Sequence, residues 1–155
     1  MLYSLLQTKK KRWLASDECT VKGLLAYIRR RGDLRDAQIE AIETYLYLKL
    51  VGRNKPLAQL FAEGFFFDPI DLDTLHLNVA TRELLGNDVA ARSLFQFARL
   101  RNGNGTLLPE LEQAILADPH ALNYQEIIKS IFYNVDYADY LFSLPMGAGK
   151  TFLIA

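Results

Sequence analysis

With 155 residues, half of them hydrophobic, the chain is long enough for one domain with a real core. Lysine plus arginine number 18 and aspartate plus glutamate 18, so overall charge gives no ground for a polyanionic partner, and any nucleic-acid surface has to be local. The single cysteine, Cys19, rules out an intrachain disulfide, and the two histidines, His76 and His120, have no Cys or His neighbours at metal-ligand spacing.

At the amino terminus a short apolar stretch precedes Lys9-Lys10-Lys11-Arg12, the reverse of a secretion signal, in which charge comes first. No apolar stretch approaches the roughly 20 residues of a membrane span. A cytoplasmic protein is expected. Ser16 or Asp17 can cap a helix with Val21, Leu24, Leu25 and Ile28 at helical spacing, which Gly32 stops. Arg29, Arg30 and Arg31 crowd its last turn, where cations suit the helix dipole. A second helix is predicted from Asp33 through Ile39, Ile42, Tyr45 and Leu46 to Gly52, with Glu40 and Glu43 toward solvent.

Pro56 opens a short helix that Gly64 closes, and Phe65-Phe66-Phe67 after it reads as buried. From Asp71 to Leu85 the pattern gives one or two helical turns and then a helix capped near Asn78. Asn87 or Asp88 begins the next, carrying Val89, Leu94, Phe95 and Phe97. The run from Asn102 to Thr106 favours left-handed turns and reads as a flexible loop. Pro109 starts a helix that Asp118-Pro119 ends, and Asn123 caps another with Ile127, Ile128, Ile131 and Phe132. The period then changes. Tyr140-Leu141-Phe142-Ser143-Leu144 is a short apolar, aromatic-rich run that reads as a buried strand, approached by the polar Asp136 and Asp139.

That strand leads into Pro145-Met146-Gly147-Ala148-Gly149-Lys150-Thr151. A Gly-x-Gly-Lys-Thr run between a strand and a helix lets successive backbone N–H groups curl around a phosphate, adding a lysine for the outer phosphates and a hydroxyl for magnesium. ATP and Mg2+ are the expected ligands. The strict phosphate-loop form has glycine where this chain has Leu144. In this wording the segment resembles motif I of the superfamily-2 helicases and translocases, with Met146 in place of the frequent threonine; among them it is most similar to the restriction-type translocases and their DEAD/DEAH-box relatives.

The resemblance implies that Gly147, Ala148 and Gly149 allow close backbone approach, that Lys150 neutralises the β- and γ-phosphates, and that Thr151 ligates magnesium. Lys150 and Thr151 would be the catalytic pair of the loop. It also implies an upstream glutamine whose amide reads the adenine edge. Gln125, in Tyr124-Gln125-Glu126-Ile127-Ile128, stands at the usual family spacing before Gly147; Gln38, in Asp36-Ala37-Gln38-Ile39-Glu40, is closer in wording but far upstream. Gln125 is preferred, because adenine has to lie within reach of the phosphates.

No Asp-Glu-x-[His/Asp] segment follows the loop, and no second lobe supplies an arginine finger. The expected architecture is therefore mainly α: a helical accessory region over 1–122, then, over 123–155, the first strand and phosphate loop of a truncated P-loop NTPase α/β domain. The function that follows is the amino-terminal part of an ATP-dependent DNA helicase or translocase, inactive by itself, with Leu141 to Ala155 poorly packed. Lys9, Lys10, Lys11 and Arg12, joined by Arg29 to Arg31 and by Trp13 as a stacking surface, are candidates for contacting DNA. Two other readings stay open: a self-standing helical interaction module, and a P-loop ATPase of another class.

Overall fold

The computed structural model describes residues 1–103 and 105–132. These are mainly helical, with two compact units that meet in sequence between Lys55 and Pro56.

Among the described residues the first unit has three helices, α1 (Leu2–Ala15), α2 (Lys22–Arg31) and α3 (Asp36–Leu50), with α3 packed against both others. Helix α1 was not legible as a helix from the sequence: it has no side-chain cap at its start and no acidic residue in its first turn. It forms because its leucines, lysines and glutamine are good helix formers and because Trp13 buries itself against Tyr47, ring centroids 5.5 Å apart. Ser16, expected to open the next helix, closes this one instead, its hydroxyl donating to the Trp13 carbonyl. Helix α2 accordingly begins later than expected, and Gly32 ends it at φ 73°, the left-handed geometry that glycine adopts freely.

Helix α3 starts three residues beyond the expected Asp33. The Gln38 side-chain oxygen accepts from the Arg35 N–H at 2.8 Å, satisfying an amide that would otherwise lack a partner at the helix start. Helix α3 buries Gln38, Ile39, Ala41, Glu43, Thr44, Tyr47 and Leu48, which lie on more than one side of the helix because it has a neighbour on two sides. Glu43, expected toward solvent, is 5% exposed. The reason is a cation supplied from each of the other two helices, described below.

The second unit contains α4 (Leu57–Ala62), a 3-10 turn (Leu72–Thr74), α5 (Val79–Asn87), α6 (Val89–Ala98), α7 (Pro109–Ala117) and α8 (Tyr124–Ile131). Helix α6 is its centre, touching α4, α5, α7 and α8. Buried Ala90, Ala91, Ser93 and Ala98 keep its surface low enough for four neighbours, while Leu94 and Phe95 fill the spaces between them. The caps are local: the side chains of Asn78, Asp88 and Asn123 accept from the N–H groups of Thr81, Ala91 and Glu126. Two further bonds tie α5 to α7, from Asn78 Nδ2 to the Leu116 carbonyl and from the Thr81 hydroxyl to the Ile115 carbonyl.

Gly64 sits at φ 80° with Val89 Cγ1 only 3.2 Å from where a β-carbon would stand, so both conformation and space require glycine there. Phe66 is fully buried, whereas Phe65 and Phe67 on either side are half-buried. The expected flexible loop carries a two-residue antiparallel ladder, β1 (Arg101–Asn102) with β2 (Gly105–Thr106). Helix α8 packs on α4 and α6, so the expected boundary between residues 122 and 123 lies within this unit, just before the Asn123 cap.

Each unit buries a tyrosine whose phenol is pushed up to about 12 from its usual 10.0. Burial is the cause at Tyr47; at Tyr124 burial comes first and the carboxylates of Asp88 and Asp118 add to it. The Tyr124 hydroxyl donates to the Pro119 carbonyl at 2.6 Å. A phenol with a raised folded-state pKa contributes stability that is fully present below pH 10 and is lost as pH rises through 12. Urea midpoints should therefore fall steeply across that window, by roughly 2 kcal/mol of stability per tyrosine. Tyr47→Phe and Tyr124→Phe should each flatten the fall; an unchanged alkaline profile in both variants contradicts the assignment.

Candidate functional site

In the first unit a groove of about 530 Å³ gathers charged side chains from all three helices, Lys10 and Lys11 of α1, Arg29 of α2, and Asp36, Glu40 and Glu43 of α3. At its floor the Lys10 ammonium is 2% exposed, 3.6 Å from Glu43 Oε2, and donates to the Thr44 hydroxyl at 3.2 Å. The Arg29 guanidinium reaches Glu43 Oε1 from the other side. The Thr44 hydroxyl in turn donates to the Glu40 carbonyl, and Tyr3 donates to the Glu40 carboxylate at the rim.

Burial holds the Lys10 ammonium below its ordinary pKa of 10.5, and the Glu43 carboxylate opposes that shift. Lys10 and Arg29 thus share the single Glu43 carboxylate. Reaching a phosphate would require pulling Lys10 away from both Glu43 and Thr44, so the groove is a buried ion cluster and not an anion cradle. Of the four basic residues expected to contact DNA, Lys10 is thus committed to the interior, Lys9 is half-buried, and Lys11 and Arg12 are exposed. Trp13, considered as a stacking surface, is 6% exposed and packed on Tyr47, so it offers no face to a base.

The two candidate glutamines differ in availability. Gln38 is 2% exposed, with its side-chain oxygen engaged at the start of α3. Gln125 is exposed in the first turn of α8. Gly147, Ala148, Gly149, Lys150 and Thr151, the strand expected at Tyr140–Leu144 and the packing expected of Leu141 to Ala155 lie outside the described residues. Cys19 is a buried free thiol, and both histidines are exposed. Among the described residues no three His, Cys, Asp or Glu side chains are placed to share a metal ion, and no helix is long and apolar enough to cross a membrane.

The buried partnership of Lys10 with Glu43 was missed in the sequence. Its one signal was a helical register in α1 that puts Lys10 on the same side as Trp13, three residues on. The helix and site defined by these residues are those of a helical protein in two units with a buried ionic cluster in the first. Searches against protein-family models, curated proteins and solved structures returned no match to the chain.

Proposed function

We propose that this chain is the amino-terminal part of a cytoplasmic, ATP-dependent superfamily-2 helicase or translocase acting on DNA, with its helical units as an accessory region beside the motor. One observation carries the reading: Gly147-Ala148-Gly149-Lys150-Thr151 two residues after the apolar, aromatic run that ends at Leu144. In it Lys150 offsets charge on the β- and γ-phosphates, Thr151 holds Mg2+, and backbone N–H groups from Gly147 to Gly149 line the phosphates. Phosphoryl transfer asks mainly for positioning and charge neutralisation, which this set of groups supplies.

Gln125 is the better candidate for the adenine edge. It is exposed on α8 in sequence proximity to the loop, whereas the Gln38 oxygen is already used by the Arg35 N–H.

The test is DNA-stimulated ATP hydrolysis by the full-length protein. Lys150→Ala should lower it by about a hundredfold or more, the scale of losing one positioned charge-stabilising group. A rate that survives the substitution contradicts the motor assignment, and the absence of any ATP hydrolysis favours the helical interaction module.

A further inference from the structure

Helix α2 buries only Leu25 among its ten residues, so most of its surface is outward. Along one side of it stand Leu24, 51% exposed, Tyr27, 49% exposed, and then Arg30 and Arg31. Spacings of three and four residues align these side chains in a single row, about 10 Å long at 1.5 Å rise per residue. The Arg30 guanidinium lies over the Tyr27 ring, 6.0 Å from the centroid, and the neighbouring Arg31 Nε contacts Asp33 at 2.7 Å.

We infer that this row, Leu24, Tyr27, Arg30 and Arg31, is a docking surface for single-stranded DNA, with Tyr27 stacking on an unpaired base and Arg30 meeting the adjoining phosphates. The inference deepens the proposed action on DNA and rests on it for the choice of polyanion. Three features of the row favour this occupant. An exposed aromatic flanked by cations matches what a single strand offers, a base face beside a phosphate, whereas a duplex keeps its base faces stacked inside. Arg29 is drawn to Glu43 and Arg31 to Asp33, but Arg30 lies against a ring, and among the described residues no carboxylate pairs with it. A second copy of the chain is disfavoured, because two such faces would set arginine against arginine.

The surface also relocates the expected contact. The expected platform, Trp13, is buried, and the first basic run has Lys10 locked to Glu43. Tyr27 was not singled out in the sequence, where the apolar positions of this helix are Val21, Leu24, Leu25 and Ile28; among the described residues α2 packs on α3 and buries only Leu25, which leaves Tyr27 exposed.

The experiment is fluorescence anisotropy of a labelled oligothymidine strand with the chain, at low salt and without nucleotide, so that a phosphate loop unable to hold ATP leaves the result unaffected. The wild-type chain should bind the strand more tightly than a duplex of equal length. Tyr27→Ala should weaken strand binding by about tenfold and Tyr27→Phe by less than about twofold, because stacking needs the ring and not the hydroxyl. Arg30→Gln should reduce the slope of log affinity against log salt by about 0.7, one phosphate contact on a single strand. Far-UV circular dichroism confirms that each variant keeps its helices. Equal binding by wild type and Tyr27→Ala overturns the inference, as do preference for duplex, no strand binding, or binding of phosphatidylserine vesicles in place of the strand.

Discussion

Glu43→Gln is expected to destabilise the first helical unit by about 3–5 kcal/mol, the loss seen when one member of a buried ion pair is removed and the other is left behind. The glutamine keeps the shape of the side chain and can still accept one hydrogen bond, so the cost comes from charge. Lys10, 2% exposed, would keep neutral hydrogen-bond partners and the Glu40 charge but lose the carboxylate nearest to it, against the cost of keeping an ammonium out of water. Arg29 suffers less, because its side chain is 58% exposed and its guanidinium can turn to solvent.

The companion variant separates charge from packing. Lys10→Met with Glu43→Leu removes both buried charges at similar volume and should recover most of the loss, ending near or above wild-type stability. The readout is built in: the one tryptophan, Trp13, is buried in this unit beside Tyr47, so urea unfolding followed by its fluorescence reports the unit directly. A Glu43→Gln midpoint equal to wild type would mean that Lys10 is solvated and the cluster carries no such cost.

Phe61→Ala should cost the second unit about 4 kcal/mol, the size expected for truncating a fully buried aromatic that the surroundings cannot close over. Phe61 is 0% exposed, and its ring centroid lies 6.4 Å from Phe66, 5.4 Å from Phe67, 5.4 Å from Phe97 and 5.2 Å from Phe132. The contacts with Phe67 and Phe97 are edge-to-face, 87° and 84°, the arrangement in which a ring's positive edge meets another's negative face. The four rings come from α6, the end of α8 and the segment after α4, so they cannot all shift inward without moving those elements. Phe61→Leu should lose clearly less, since it refills part of the space. Thermal melts by circular dichroism decide the matter; a loss under about 1 kcal/mol for the alanine variant would show that the ring cluster relaxes around the vacancy.

Much of this architecture was legible locally. Asn78, Asp88 and Asn123 cap helices, Pro109 opens one, and Gly32 and Gly64 take left-handed backbone, because a cap or a turn is a contract among neighbours within four residues. Helix α1 was hidden for the same reason: its ends carry no capping side chain, and its run of four basic residues masks the apolar side that holds Trp13. The small ladder at Arg101–Thr106 was hidden as well, since turn-forming residues mark the bend but not whether the flanks pair.

For function, the amino-acid sequence by itself supplied the observation behind the proposal, the run from Gly147 to Thr151 with its lysine and hydroxyl, since a phosphate-loop pattern is written in consecutive residues. Balanced composition and a lone cysteine likewise bounded what the chain can be. Only the tertiary structure decided which charges are available. It paired Lys10 and Arg29 with Glu43 across three helices, occupied Gln38 at a helix start while leaving Gln125 exposed, buried Trp13 and left Tyr27 open beside Arg30. The physical reason is that helical periodicity tells which residues share a face, while the sign and burial of that face depend on which other helix comes to lie against it.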